Sequence, residues 1–469
     1  MPNSDHTTTT RRTAAGAHAA TERAVRLAVP PADDRPAPRT RLGRLGSLAV
    51  RVDASTPPGR DRVMDLLRVA AMLVVALGHW VMAVVQVGAD GALRTDSLLA
   101  AEPRTQWLTL ALQVMGLFFA VGGWASARSL RRAPTSRAAW VHARVRRLAA
   151  PTVTYVAVVG LLVPLLVRLL DPSAAPVVSR FLAVHLWFVA VVVPVHLLTP
   201  ALHRAWRSLG WPLLALLSGG ALAVDVAHRV AGMPLVGWLN FGLVWAAATV
   251  LGFAWGDGLL DRRTAHRLVL AGSAAVALLV ATPWVPLSMV GVPGAATSNN
   301  SPPSSALVAL TALHVGLAVL ATPRLRRLLD RPLAWAPVAL AGRVAATVYL
   351  WHLLALVVLV AGLLRLAPAA LAVEPLGGTW WATRPAWLAA LVVATLPLVL
   401  LAQRVELRLR DVAAPAGWRV TAGALLLAGG CATLALHGAD HLPAVLAVLV
   451  GGLLGRFLPG VARRARRSA

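Results

Sequence analysis

Long apolar stretches, separated by short polar or basic connections, make up most of the chain beyond residue 62. Each runs for about 20 residues, the length that an α-helix needs to cross the hydrocarbon core of a bilayer. They lack the alternation expected of strands in a membrane barrel, so the pattern predicts membrane-spanning helices. Twelve spans are predicted, at Val63–Gly88, Trp107–Ala127, Leu148–Leu170, Phe181–Leu202, Trp211–Val230, Leu235–Trp255, His266–Met289, Ala306–Thr322, Val344–Leu366, Ala386–Ala402, Val420–Leu436 and Leu442–Leu458.

Composition agrees with this pattern. The 469 residues are 58% hydrophobic, with a mean hydropathy of +0.68, which is more apolar material than a soluble protein of this size needs for its core. Much of the apolar surface must therefore face lipid. The predicted fold class is all-α, a polytopic membrane helix bundle.

The chain is predicted to have three parts. Residues 1–60 are rich in Thr, Ala, Pro and Arg, contain no apolar run long enough for a signal peptide, and predict a disordered cytoplasmic tail. Residues 61–412 contain the first ten spans. Residues 413–469 contain a hairpin of two further spans and a basic tail.

The distribution of arginine predicts the orientation in the membrane. The chain has 45 arginines and no lysine. Given the predicted spans, 38 of the arginines lie on the same side of the membrane as the N-terminus and 7 on the opposite side. Because cytoplasmic loops are enriched in basic residues, both termini are predicted to be cytoplasmic, in the plasma membrane. The net charge of +26 does not predict a nucleic-acid partner, since the arginines lie between apolar runs rather than on a soluble domain.

Two ionisable residues of the first span are candidates for chemistry, because such residues are costly inside a membrane. Arg68 and His79 have ten residues between them and so are eleven positions apart; on a helix they point within about 20° of each other and lie about 16 Å apart along the axis. Arg68 would lie at the cytoplasmic boundary, where it could hold phosphates, and His79 near the bilayer midplane. Without chemistry, Arg68 would be a boundary residue that reaches the lipid headgroups and His79 a packing residue.

A second basic group stands at the entry to the third span. Arg144 and Arg147 are three residues apart and share a helix face. Paired arginines suit a phosphate-rich ligand, although any cytoplasmic loop would also carry them.

Other residues are weaker candidates for substrate contact. His352 lies in an apolar span with Tyr349 one turn earlier, which predicts a hydrogen bond between them or a contact with substrate. His185 is expected near the outer boundary, where Trp187 and the next residue, Phe188, would serve as interfacial aromatics.

The connection between the seventh and eighth spans, residues 288–303, is polar, rich in turn residues and free of charge. Its Asn299 and Asn300 could offer amides to a sugar, or the loop could be a solvated connector. No metal site is predicted, since no His, Cys or carboxylate pairs stand at ligand spacing within a span. The single Cys431 excludes an intrachain disulfide.

Together these residues resemble the membrane-bound acyltransferase-3 family. Arg68 and His79 match its motif of an arginine, ten residues and a histidine, and Arg144 to Arg147 looks like its Arg-x-x-Arg motif. Further similarities, in the family's order over about 350 residues, are Asp65-Leu-Leu-Arg68, Leu117-Phe-Phe-Ala-Val-Gly-Gly-Trp124, His185-Leu-Trp-Phe188 and Tyr349-Leu-Trp-His352.

The resemblance implies a ten-helix core that acylates hydroxyl groups of envelope glycans, lipids or small molecules. Acyl-CoA, commonly acetyl-CoA, would be the co-substrate, and no bound cofactor is expected. His79 would be the catalytic residue, while Arg68, Arg144 and Arg147 would bind the donor. The acidic motif of some members has no clear counterpart; Glu374 is the nearest candidate and fits poorly.

Two other classes of function stay open from the residues alone. A transporter or flippase for an envelope precursor would use intramembrane charge to hold its cargo without changing it covalently. A non-catalytic membrane scaffold would tolerate the loss of Arg68 and His79.

Overall fold

A computed structural model describes residues 41–88, 90, 92–132, 136–170, 175–407 and 415–457. The chain divides into two compact units, residues 1–56 and 57–469. The described part of the first unit forms helix α1 (Arg41–Ala54). The prediction of disorder is therefore wrong for this segment, where Leu45, Leu48 and Val52 recur at the helical spacing of three to four residues. The rest of the predicted tail, residues 1–40, lies outside the described residues.

The second unit is almost entirely helical. Its helices are α2 (Arg62–Met82), α3 (Leu98–Ala101), α4 (Leu108–Leu112), α5 (Met115–Arg132), α6 (Arg137–Leu170), α7 (Ala175–Ala183), α8 (Trp187–Leu209), α9 (Trp211–Asp225), α10 (Asn240–Gly256), α11 (Arg262–Val280), α12 (Ser305–Leu329), α13 (Pro332–Leu366), α14 (Gly378–Leu407), α15 (Gly417–His437) and α16 (Leu442–Leu454). Short 3₁₀ turns at Pro103–Trp107, Val184–Leu186, Pro234–Leu239 and Pro368–Leu371, and a π turn at Val226–Val230, extend or connect them.

Ten helical segments are long and apolar enough to cross a membrane, counted over the described residues. The all-α polytopic bundle is thereby confirmed, and the protein is a multi-pass membrane protein. The third predicted span falls within α6, and the twelfth on α16, which has only 13 residues. Below, the basic end of the bundle means the end at which α2 begins and α5, α10 and α12 finish.

Two predicted spans are shorter in the structure. Helix α2 ends at Met82, and Ala83–Val87 forms strand β1, which pairs antiparallel with β2 (Leu93–Ser97). The three β-branched valines of β1 and the glycine at position 88 favour a hairpin over continued helix. Helix α11 ends at Val280 rather than near residue 289, because Pro283 and Pro286 interrupt the backbone hydrogen bonds that a helix requires.

Helices α5 and α10 cross in direct backbone contact. A Cβ atom at Gly123 would collide with the carbonyl oxygen of Thr249, and one at Gly252 with that of Ala120. Glycine at both positions is therefore required for this approach. The crossing fixes the orientation of α5, whose other face carries part of the candidate site.

The two C-terminal helices form a hairpin that packs against the rest of the bundle. Helix α15 contacts α8, α7 and the turn Val184–Leu186, while α16 contacts α6. The Ser179 hydroxyl of α7 donates to the Asp440 carboxylate in the loop of the hairpin. The carbonyl oxygen of Ser179 accepts from the Ala439 amide at 3.2 Å. The predicted boundary at residues 412 and 413 lies outside the described residues.

Candidate active site

His79 and His352 meet between helices α2 and α13. Nδ1 of His79 lies 2.7 Å from Nε2 of His352, and the two rings are nearly parallel, with centroids 5.0 Å apart and an interplanar angle of 7°. His352 is completely buried and His79 is half-buried. The imidazole of His79 therefore points into the bundle rather than toward lipid.

The backbone around His352 determines which nitrogens of the pair carry hydrogen. Nδ1 of His352 lies 2.6 Å from the carbonyl oxygen of Tyr349. A carbonyl oxygen can only accept, so Nδ1 is the protonated nitrogen of a neutral His352 and Nε2 holds a lone pair. His79 must then donate from its own Nδ1. Nε2 of His79 is left unprotonated, and no described residue hydrogen-bonds it.

Neighbouring hydrogen bonds hold this pair in place. The indole nitrogen of Trp80 donates to the carbonyl oxygen of His352 at 3.0 Å, and that of Trp387 donates to the carbonyl oxygen of Trp80 at 3.2 Å. The predicted bond between Tyr349 and His352 exists, but the backbone of Tyr349 makes it. The Tyr349 hydroxyl instead donates to the carbonyl oxygen of His185 at 2.9 Å. Helices α2, α13 and α14 and the turn Val184–Leu186 are thus tied together around the histidines.

His185 lies beside the pair, in the interior. Its side chain is 1% exposed, and its ring meets those of His352, Tyr349 and Tyr155 edge-on, at centroid distances of 5.6, 5.6 and 5.1 Å. Neither ring nitrogen makes a hydrogen bond. The expectation that Phe188 serves as an interfacial aromatic is wrong, because the turn before α8 directs the side chains of His185 and Phe188 into the core.

Arg144 is held by helix α5. Its guanidinium donates to the Ser126 and Ser129 hydroxyls at 3.1 and 2.7 Å and to the Ala125 carbonyl oxygen at 3.3 Å. It also lies 4.6 Å from the centre of the Trp140 ring. Most of its donors are therefore used within the protein, which suits a positioning role.

Arg68 and Arg147 are the exposed members of the basic group. Both lie within electrostatic range of Arg144 and of each other. Arg68 forms an ion pair with Asp65 at 3.1 Å, and Arg147 has no hydrogen bond to a described residue. The structure thus brings together the three arginines that the sequence singled out, with two of them accessible to a ligand.

A chain of aromatic rings leads from Phe118, on the helix that holds Arg144, to Tyr349 beside the histidines. Phe118 packs edge-on against Phe188 at 5.2 Å, and Phe188 packs against Tyr349 at 5.1 Å. A narrow space of about 20 Å³ lies along this route, lined by Phe118, Ser126 and His196 among others. Sequence reasoning missed His196, because a histidine on an apolar helix face gives no sign of which helix it meets.

The remaining candidates serve other contacts. Trp187 stacks near Trp245, with centroids 5.9 Å apart. Asn299 is fully buried; its amide nitrogen donates to the Pro286 and Ser288 carbonyl oxygens, and its oxygen accepts from Ser304. Asn300 is half-buried and accepts from Gln113 at 3.4 Å.

The loop before α12 is therefore ordered by its own asparagines. Beneath it, Asp225 accepts from Ser305 and Asn240, and the nearly buried Arg229 donates to the carbonyl oxygens of Trp284 and Ser298. Over the described residues, no three His, Cys, Asp or Glu side chains are grouped so that they could hold a metal ion.

Comparison with protein families gives one match. A family model described as an acyltransferase domain matches residues 61–404, which include every residue of the histidine pair and of the arginine group. Neither the comparison with curated proteins nor that with solved structures gave a match. The matched range ends near the end of α14 and leaves α15 and α16 outside it.

Proposed function

Because the chain belongs to the acyltransferase-3 family of membrane enzymes, we propose that it transfers an acyl group, acetyl in the first instance, from cytoplasmic acyl-CoA to a hydroxyl group of an envelope glycan, lipid or small molecule. Acyl-CoA is a co-substrate in this proposal, and no bound cofactor takes part. The reaction takes place in the plasma membrane, with both termini cytoplasmic.

The observation that supports this proposal best is the hydrogen-bonded pair of His79 and His352, from which it follows that Nε2 of His79 is unprotonated. A general base needs a lone pair and a fixed ring, and the bond from His79 to His352 supplies both. His352 orients the ring of His79 and fixes its tautomer, as the carboxylate does for the histidine of a serine protease triad. The missing acidic motif is therefore not an obstacle to the chemistry.

The simplest route is direct transfer. Nε2 of His79 takes the proton of the acceptor hydroxyl as its oxygen attacks the thioester carbon. The carbon–sulfur bond then breaks, and the CoA thiolate takes the proton from His79. His352 stabilises the transient imidazolium, because its Nε2 lone pair accepts from Nδ1 of His79 throughout. In a second route Nε2 attacks the thioester carbon and the CoA thiolate leaves; the acceptor oxygen then attacks the acyl-imidazole carbon, the carbon–nitrogen bond breaks, and the hydroxyl proton passes to the thiolate.

The basic group accounts for donor binding in this proposal. Arg68 and Arg147, both exposed, contact the phosphates of CoA, and Arg144 keeps α5 and α6 in register beneath them. The acyl end reaches His79 along the aromatic route past Phe118 and Phe188. The acceptor approaches from the opposite end of the bundle.

Replacement of His79 by alanine tests the proposal. We expect loss of acyl transfer from acetyl-CoA, with normal amounts of membrane-inserted protein and an unfolding temperature close to that of the His314→Ala control. His314 is a half-buried histidine of α12 that bonds the Leu110 carbonyl oxygen, outside the site. Mass spectrometry of envelope glycans and lipids would show whether an acyl-sized increment disappears. Retained transfer by His79→Ala would overturn the assignment, and unchanged envelope chemistry in a deletion strain would favour a transporter or flippase.

A further inference from the structure

A cavity of about 320 Å³ opens at the basic end of the bundle, between α2, α5, α10 and α12. It is large enough to admit a phosphorylated headgroup or a small nucleotide. The reacting histidines are not among its walls, which include Asp61, Met64, Trp124, Arg128, Trp255 and Arg326.

None of the three arginines of the candidate active site lines the cavity, and on α5 the cavity and Arg144 lie on different faces. Trp124 and Arg128 share one face of α5, since they are four residues apart. Ser126, which holds Arg144, is two residues from each and so points about 160–200° away from them. Helix α5 therefore lies between the cavity and Arg144, whereas on α2 Met64 of the cavity wall lies one turn before Arg68.

Two guanidinium groups have donors available at the cavity. Arg128 lies over the Trp124 ring at 4.9 Å from its centre, and neither Arg128 nor Arg326 donates a hydrogen bond to a described residue. Arg326 is 64% exposed and approaches the Asp61 carboxylate only to 3.8 Å. Asp61 is itself occupied in capping α2. The cavity therefore has two cations and one carboxylate, with unused N–H groups on both cations.

The wall opposite α2 is fixed without any ligand. Arg131 pairs with Asp257 and donates to the Gly256 carbonyl oxygen at 2.7 Å, and the Trp206 indole donates to Asp257 at 2.8 Å. These bonds join the last turns of α5 and α10 to α8. A site that is already formed costs less free energy to occupy, because little ordering is needed on binding.

We propose that this cavity binds a phosphate group, contributed either by an anionic phospholipid of the adjacent leaflet or by a soluble nucleotide. Guanidinium groups pair with phosphate through two parallel hydrogen bonds, and tryptophans such as Trp124 and Trp255 are typical of the headgroup region. Basic pockets between helices at the cytoplasmic side are suited to anionic headgroups. The proposal does not depend on the chemistry of His79.

The test uses the full chain in nanodiscs, with thermal unfolding as the readout. One arm compares phosphatidylcholine discs with discs that contain increasing phosphatidylglycerol. The other adds 3′,5′-ADP to phosphatidylcholine discs. We expect at least one probe to raise the unfolding temperature, and Arg128→Gln and Arg326→Gln each to raise its half-saturating concentration about tenfold.

Arg324→Gln is the matched control, because Arg324 is exposed on the same helix end, about 200° away from Arg326, and does not line the cavity. It should behave as the unchanged chain does. A response to phosphatidylglycerol alone identifies a lipid, and a response to 3′,5′-ADP alone identifies a soluble ligand. The proposal is overturned if neither probe stabilises the protein, if Arg324→Gln has the same effect as Arg326→Gln, or if only Arg147→Gln weakens binding.

Discussion

Replacing His352 with leucine removes the acceptor that fixes the tautomer of His79 while leaving an apolar side chain of similar reach in the core. In the structure Nδ1 of His79 can donate only to Nε2 of His352, at 2.7 Å. Without that acceptor, the hydrogen of His79 can move to Nε2, and the ring is no longer held. The base then spends part of its time with the wrong nitrogen protonated.

The size of the effect follows from the change in this hydrogen bond during the reaction. A hydrogen bond between neutral groups contributes about 1 kcal/mol, and one to a charged group about 1.5–3 kcal/mol. When His79 becomes an imidazolium, the bond to His352 therefore strengthens by about 0.5–2 kcal/mol, which corresponds to roughly a 2- to 30-fold change in rate. Loss of the tautomer adds to this, although less than the about 10⁴-fold found where the partner is a carboxylate. We expect kcat to fall about 10- to 100-fold in His352→Leu.

The assay is the release of CoA thiol from acetyl-CoA by the purified protein in nanodiscs, measured over a range of donor concentrations. KM for the donor should change little, because His352 is buried and its side chain bonds His79 and Tyr349 rather than the arginine group. His352→Gln should recover part of kcat, since its amide oxygen can accept from Nδ1 of His79. His314→Leu serves as the control for loss of a histidine elsewhere in the bundle. A kcat of His352→Leu within twofold of the unchanged enzyme, in protein that unfolds at a normal temperature, would refute the reasoning.

Two further predictions concern the basic group and the helix crossing. Arg147→Gln should raise KM for acyl-CoA about tenfold and leave the unfolding temperature unchanged, because Arg147 is exposed. Arg144→Gln should lower the unfolding temperature, because it breaks the bonds to Ser126 and Ser129 and so reduces the free energy of unfolding by about 1–3 kcal/mol. Equal thermal effects in the two variants would contradict this division of roles. Gly123→Ala should destabilise the protein by about 1–3 kcal/mol or more in a thermal unfolding assay, whereas Gly122→Ala, where a methyl group meets nothing within 4 Å, should not.

Much of the fold follows from local pattern. The apolar runs located all ten helical segments that the described residues offer as membrane spans, because a span must satisfy its backbone within itself and so is encoded in contiguous residues. The errors lie where local signals compete: the valines after Met82 continue the apolar run but favour a strand, and two prolines cut α11 short. Helix α1 was missed because its apolar residues are diluted by arginine and glycine.

The site was predictable only in part, because its decisive contact is not local. That Arg68 and His79 share a helix face follows from their spacing on one helix, but the partner of His79 lies 273 residues further along the chain. Nothing in the residues around His352 indicates that its Nε2 meets α2 or that the Tyr349 carbonyl sets its tautomer. Likewise, Asn299 looks like a ligand for sugar in the sequence, yet each of its polar atoms is used inside its own loop. The cavity between Arg128 and Arg326 is lined by residues of four helices, and no sequence motif within any one of these helices indicates it.

The pairing of two neutral imidazoles, where a histidine and a carboxylate would be usual, makes the resting centre insensitive to the membrane potential. A fixed charge that crosses the whole membrane field gains or loses about 2.3 kcal/mol for each 100 mV. An uncharged His79 and His352 experience no such term before the substrates react. In the proposed mechanism only the short-lived imidazolium carries a charge that the membrane potential acts on. The protonation state of His79 before the reaction is therefore the same whether or not the membrane is energised.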